Sequence, residues 1–364
     1  MFALRLTVFF SFKLINLLKS FRYLLFPFSL IYGAEILLRN FLFDKKILKS
    51  ASFNFPLICV GNLAVGGTGK TPMTEYLIEL LKSKYEIATL SRGYKRKTKG
   101  FAIANAQTTA LEIGDEPMQF HEKFPQITVA VGEERFEAIP QILHERPQTQ
   151  VIILDDAFQH RTVHAGLNFL LTEYNNLYSR DFMMPAGDLR DVRISSKRAE
   201  IIIVTKCKSD IKEAEKTAIA EELKILPHQN LFFSEILYAA PYHIFNKNSY
   251  TMNERTQLLL ITGIANPKPL QSFLAEHIHS FDMLPYPDHH IFSSTDLKDI
   301  LHHFHKLKSS DKIILTTEKD AVRLKKFEKE LAELPVYALP VKMNILFNEN
   351  EKLDRLVLDY ITKF

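Results

Sequence analysis

The residues best equipped for chemistry lie in Gly61-Asn62-Leu63-Ala64-Val65-Gly66-Gly67-Thr68-Gly69-Lys70-Thr71-Pro72. Glycines let backbone amides wrap phosphate oxygens, a lysine offers a cation to the β- and γ-phosphates, and the next hydroxyl ligates Mg²⁺. Ala64 to Thr71 are therefore candidate nucleotide-binding residues, with Lys70 acting on the transferred phosphate and Thr71 on the metal. ATP and Mg²⁺ are the implied cofactors. The strict pattern places Gly five positions before Gly69, where this chain has Ala64. Alanine is tolerated there if its φ stays negative. Val65 stands where a lysine would mark the dimerising, partition-type ATPases, which argues against that class.

A second set follows about 85 residues later in VIILDDAFQH. Four apolar residues form a strand that delivers Asp155 to its C-terminal edge, where such folds hold Mg²⁺. Asp156 follows at once, and a divalent cation relieves the repulsion between adjacent carboxylates. Either aspartate is a candidate metal ligand, Asp156 also a candidate catalytic group, and Gln159 with His160 a candidate nucleotide-edge loop. Phosphoryl transfer to an alcohol also needs a proton acceptor. Asp115 in IGDEP is the candidate, with Glu116 beside it, although Asp115 equally suits a helix N-cap. Arg92, Arg190 and Arg193 lie in loops after expected strands and suit phosphate groups. His289 and His290 sit in a stiff PYPDHH loop, without a nearby third Cys or His for zinc.

Positioning these groups requires short apolar strands alternating with helices. PLICVG (56–61), EIATLS (86–91), ITVAVG (127–132), VIILD (151–155), LNFLLT (167–172) and EIIIVTK (200–206) fit that description. The pattern predicts an α/β fold, a P-loop NTPase-type mainly parallel sheet flanked by helices. LLLITG (258–263) and KIILTT (312–317) predict a smaller C-terminal α/β lobe. The expected divisions are an amphipathic helical segment over 1–50, a P-loop nucleotide-binding core over 51–235, a β-ribbon linker over 236–257 and the lobe over 258–364.

The chain has 364 residues, 46% of them hydrophobic, and two cysteines, so it is neither a disulfide scaffold nor a four-thiolate zinc protein. Residues 1–50 carry eight Lys and Arg against Glu35 and Asp44, a net +6 that leaves −2 for the remainder. A nucleic-acid-binding body would hold its basic patch on the folded domain, so that class is set aside. The first fifty residues also hold nine of the 28 Phe. At helical spacing Arg5, Lys13, Asn16, Lys19 and Ser20 fall on one arc and Phe9, Phe10, Leu14, Leu17, Leu18 and Phe21 on the rest. This is the pattern of a helix lying in a membrane interface; the alternative is a helical hairpin packed on the protein, bent near Pro27. The longest charge-free run, Tyr23 to Ala34, is twelve residues, short of the ~20 that a span needs.

GNLAVGGTGKTP, LSRGYKR, GDEPMQF, DDAFQHR, PAGDLRD, TGIANP, PDHH and TTEKDAVRL occur in the order seen in the tetraacyldisaccharide 4′-kinases, which the chain resembles. Ala157 departs from the glycine of that family's DDGFQH. The resemblance implies transfer of the γ-phosphate of ATP to the 4′-hydroxyl of a lipid A disaccharide precursor. It also implies a monotopic enzyme on the cytoplasmic face of the inner membrane. It favours Asp115 as base, implies that His289 assists it, and gives weight to Arg190 in nucleotide binding. A competing reading is a membrane-associated P-loop switch acting on a protein partner. Val204-Thr205-Lys206-Cys207-Lys208 lacks the Asn and Asp of a switch's base-reading motif. A soluble small-molecule kinase would leave the Phe-rich basic segment without a use.

Overall fold

The computed structural model of the protein describes residues 22–364. The stretch from Arg5 to Phe21 lies outside the described residues, so its helical pattern stays an expectation. The described chain forms two compact units. One comprises residues 22–70, 153–235 and 345–364; the other comprises 71–152 and 236–344.

In the first unit the strands run in the order Asn230–Tyr238, Ile201–Thr205, Leu167–Glu173, Leu57–Asn62 and then Val151–Asp155, whose last three residues belong here. Pairing is parallel, with Asn230 opposite Ile201, Ile201 opposite Phe169, and Leu167 opposite Ile58. Leu57–Asn62, Val151–Asp155 and Ile201–Thr205 are buried along their whole length. Burial on both faces is why they read as unbroken apolar runs rather than alternating ones. The Asp155–His160 turn packs directly on the first of them. A Cβ at Gly61 would lie 2.5 Å from Phe158 Cβ and 3.0 Å from its backbone nitrogen, so only glycine fits.

Pro27 lies in the first turn of the helix Phe26–Asp44, where its missing N–H costs nothing, directly after a turn at Leu24 and Leu25. The helix buries Ser29, Gly33, Asn40 and Phe43 and exposes Phe28, Leu30, Ile31, Leu37, Leu38 and Phe41. At 19 residues, with charges at Glu35 and Arg39 interrupting its apolar stretch, it is long and apolar enough to cross a membrane by length and composition. That exceeds the twelve-residue run, because a single Glu or Arg does not end a helix.

The second unit holds a five-stranded sheet ordered Tyr242–His243, Val336–Leu339, Lys312–Thr317, Gln257–Thr262 and Phe281–Pro285. Only its first strand is antiparallel, Tyr242 facing Ala338. The same unit pairs Ile87–Ser91 with Thr128–Val131 in parallel, and Ala102–Ile103 antiparallel on the latter. Within 236–257, Tyr242–His243 is an edge strand of the five-stranded sheet, and Tyr242 also bridges Ser249 antiparallel. Residues 345–364 belong to the first unit: Leu353, Val357, Tyr360 and Ile361 form one apolar helical stripe that needs a wall. The Tyr360 hydroxyl accepts from the Leu57 N–H and donates to its carbonyl, both at 3.1 Å.

Candidate active site

In the first unit the strand Leu57–Asn62 ends in the glycine loop, and the helix Lys70–Leu81 begins at its lysine. Gly66 and Gly69 take φ of +105° and +90°, and Ala64 is not among the positive-φ residues, which is why alanine serves there. The loop is braced from below. Asn62 Nδ2 donates to the Thr68 hydroxyl at 2.8 Å, and the Thr205 hydroxyl donates to the Thr68 carbonyl at 2.8 Å. Asp155 is buried at its strand end. Asp156 takes φ +49°, so the left-handed residue of this turn is the aspartate and Ala157 needs no glycine-like conformation.

Lys70 Nζ stands 3.7 Å from Asp156 Oδ1. Arg190 grips the same carboxylate with both terminal nitrogens, one at 3.2 Å from Oδ2 and the other on Oδ1, and reaches Asn62 Oδ1 at 2.6 Å. Burial works to raise the Asp156 pKa, but Lys70 and Arg190 outweigh it and the carboxyl titrates below its ordinary range. Arg190 therefore holds an aspartate in this structure. Gln159 donates to the Asn62 carbonyl at 2.7 Å, tying the DDAFQH turn to the foot of the glycine loop. Arg193 is exposed and donates to the Asp181 carbonyl at 3.1 Å, and Arg92 is exposed.

The second unit brings Asp115 and His289 together from positions 174 apart, His289 Nδ1 standing 2.7 Å from Asp115 Oδ2. Gly114, at φ +95°, turns the chain so that Asp115 is the first residue of the helix Asp115–Lys123. A Cβ at Gly114 would stand 3.0 Å from the Tyr94 carbonyl. The N-cap position itself is Gly114, and Asp115 follows it as the first helical residue. The Asp115 side chain is taken up by His289 and by a two-pronged contact from Arg323, whose Nε lies 2.8 Å from Oδ1 and whose Nη2 meets Oδ2. Burial pushes the Asp115 pKa up, the bonds from Arg323 and His289 pull it down, and the bonds win, leaving it at about 2.

His289 Nε2 lies 3.1 Å from Lys319 Nζ. The ionised Asp115 carboxylate only accepts, so Nδ1 carries the proton directed at it, and Arg323 Nη2, 3.2 Å from Nδ1, spends its hydrogens on the carboxylate instead. Tyr94 packs edge-on against the ring at 5.4 Å. Arg323 is held in turn by Asp320 at 3.0 Å, and Asp320 accepts from the Gly263 N–H at 2.9 Å. Gly263 and Thr317 close two parallel strands, so these groups gather at strand C-terminal ends, where α/β sheets place their sites.

His290 instead bonds Asp296 at 2.9 Å and stacks on Tyr286, and no group of three or more His, Cys, Asp or Glu able to hold a metal occurs among the described residues. Arg323, Lys319 and Asp320 were not singled out from the sequence. The usable signal was in TTEKDAVRL: Thr317 caps a helix three residues before Asp320, and Lys319 and Arg323 at i and i+4 share a face.

A parallel sheet with this glycine loop and an Asp-Asp strand end defines a P-loop phosphotransferase. A sequence model of the family described as Tetraacyldisaccharide-1-P 4′-kinase matches residues 21–362. The tetraacyldisaccharide 4′-kinase of Bacteroides thetaiotaomicron is 46% identical over 93% of this chain and 92% of its own. That of Flavobacterium johnsoniae is 47% identical over 95% of this chain and 98% of its own. The crystal structure of LpxK from Aquifex aeolicus in complex with ATP superposes with a TM-score of 0.74 at 29% identity, covering 94% of this chain and 99% of that one. The chain belongs to the tetraacyldisaccharide 4′-kinase family and is an ATP-dependent kinase.

Proposed function

We propose that the protein transfers the γ-phosphate of ATP to the 4′-hydroxyl of a tetraacyldisaccharide 1-phosphate, a lipid A precursor. The observation that carries the reading is the Asp115–His289 pair, backed by Arg323 and Lys319, in a chain that also has a complete phosphate loop. An NTPase that only hydrolyses needs to position water; an oriented carboxylate–imidazole pair suits removal of a proton from an alcohol.

The backbone amides of Ala64–Gly69 hold the phosphates and Lys70 neutralises charge on the transferred group. Thr71, Asp155 and Asp156 offer hard oxygen donors of the kind Mg²⁺ prefers, one or two carboxylates and a hydroxyl beside substrate phosphates. An ion held by these oxygens would supply charge neutralisation to the phosphates. The acceptor oxygen forms a bond to the γ-phosphorus as the bond to the β–γ bridging oxygen breaks, ADP leaves, and the hydroxyl proton passes to Asp115. A carboxylate at about 2 is a weak base. It suffices because the loose transition state of phosphoryl transfer leaves the attacking oxygen little changed until late. His289, donating through Nδ1, fixes the carboxylate's orientation. Arg190 serves the nucleotide site by aligning Asp156, and Gln159 by bracing the loop.

The exposed Phe and Leu face of Phe26–Asp44 suits the acyl boundary of a membrane. It supports a monotopic enzyme taking its lipid in the plane of the leaflet, which we place on the cytoplasmic face. The test is incubation with γ-labelled ATP and the disaccharide 1-phosphate in mixed micelles. Label in the lipid is the expected result; release of free phosphate with no labelled lipid would favour the nucleotide switch.

A further inference from the structure

Away from the reacting groups, three helices of the second unit meet at one half-buried ammonium. Lys123 Nζ lies 2.7 Å from Glu75 Oε2 and 3.0 Å from Glu318 Oε2. Gln119 donates to the other Glu75 oxygen at 2.7 Å, and the Tyr242 hydroxyl donates to Glu318 Oε1 at 3.1 Å. Both carboxylates are only 4% exposed. The three helices are those of the chemistry. Glu75 lies one turn after Thr71 on the helix Lys70–Leu81, Lys123 ends the helix that Asp115 begins, and Glu318 opens the helix of Lys319 and Arg323.

Buried ion pairs are a poor source of stability, since desolvation offsets most of their attraction. Their best-supported use is to impose one arrangement among several. A single ammonium shared by two carboxylates does so, because sliding any of the three helices leaves a charge buried without a partner.

We infer that Lys123, Glu75 and Glu318 are positioning residues that lock the Asp115–His289–Arg323 cluster in register with the helix opened by Lys70 and Thr71. The arrangement has a surplus of one negative charge. Burial first, and then Glu318, push the Glu75 carboxyl up to about 7, against the pull of Lys123. The groups around it from each packed element are Gln119, Lys123 and Glu318, with Tyr242 on Glu318 and Glu122, Lys247 and Lys325 lining the adjoining cavity. Above neutrality both carboxylates ionise, repel, and loosen the lock.

The activity arm of the test rests on the kinase reading; a second arm does not. Lys123→Met is expected to lower kcat on the order of 10–100-fold, the effect of ångström-scale misplacement, with the Kd for ATP little changed. Glu75→Gln keeps the contact to Lys123 without the surplus charge, so its kcat should no longer decline as pH rises past about 7. Lys325→Met, which removes an ammonium from the neighbouring pair with Glu122, should stay within about twofold of wild type. In parallel, ¹⁵N NMR of the His289 ring should show its signals displaced in Lys123→Met. Wild type that labels no lipid would count against the kinase reading alone, and the His289 signals would then decide the lock. An unmoved His289 signal in Lys123→Met overturns the inference, as does wild-type kcat. Should that variant not fold, a Glu75→Gln pH profile superposing on wild type overturns it.

Discussion

Asp115→Asn separates the two tasks assigned to this carboxylate, accepting a proton and neutralising Arg323. The side chain is 12% exposed, so solvent screening is slight. Its pKa of about 2, against an ordinary 3.8, means the folded protein favours the ionised form by nearly two pH units. At 1.36 kcal/mol per unit this is about 2 kcal/mol of stability. A depressed carboxyl contributes that stability in full above the unfolded pKa and loses it as pH falls toward the folded one. The window is therefore roughly pH 4 down to pH 2, with about half already gone near pH 3.

The asparagine has no such titration. The difference in urea-unfolding free energy between wild type and Asp115→Asn should be constant from pH 7 to about 5, then shrink by about 1 kcal/mol at pH 3. Comparing the two proteins cancels the acid sensitivity they share. Initial-rate assays on the same pair should show kcat down by roughly 10²–10⁴-fold, the reach of a general base, with ATP affinity little altered. A stability difference flat down to pH 3 would refute the account of Asp115 as a carboxylate clamped by Arg323. A variant that changed only the KM for ATP would refute its role as base.

Lys70→Ala should lower the rate of lipid phosphorylation on the order of 10²–10³-fold or more, measured at saturating ATP; a loss below tenfold would remove Lys70 from the transition state. Gly61→Ala forces a Cβ into Phe158 and should cost about 1–3 kcal/mol, read as a lowered Tm by calorimetry, and an unchanged Tm would contradict the packing of the Asp155–His160 turn. Leu30→Glu with Leu38→Glu places two carboxylates on the exposed face of Phe26–Asp44, touching none of its polar anchors. Flotation should show liposome binding weakened about tenfold or more, with activity on a detergent-dispersed acceptor retained. Binding that persists undiminished would detach this face from the membrane.

Local chemistry was legible in the sequence because its residues are neighbours. The glycine loop and the Asp155-Asp156 pair each sit on a strand end, and both strands begin and end within a residue or two of the apolar runs that announce them. Phe281–Pro285 and Val336–Leu339 were less visible, being short and, in the first, only partly buried. The partner of Asp115 could not be found by spacing. Arg323 lies 208 positions away, and nothing about an arginine in a charged helix distinguishes a clamp from a solvated side chain. Asp115 itself sits where an N-cap would be expected, and only the tertiary contact decides what its carboxylate does.

The helix Phe26–Asp44 shows why hydrophobic pattern alone misplaces an element of this kind. The usual rule sends the apolar stripe to the core and the polar one to solvent. Here the side turned to the protein is the polar and small one. Asn40 donates to Asp191 at 3.0 Å and to the Ser195 hydroxyl at 3.1 Å, the Ser29 hydroxyl accepts from the Ala186 N–H at 2.9 Å, and the Tyr32 hydroxyl donates to the Arg190 carbonyl at 3.2 Å. Arg22 adds an ion pair to Asp188 at 2.8 Å. These contacts fall on the segment 185–195, which carries Arg190 and through it Asp156. Hydrogen bonds fix the direction of a helix far more narrowly than apolar contact does, and they leave Phe28, Leu30, Ile31, Leu37, Leu38 and Phe41 outward. An apolar face of that extent, kept out of the core by specific polar anchors on the other side, is an arrangement water disfavours and a lipid surface would relieve.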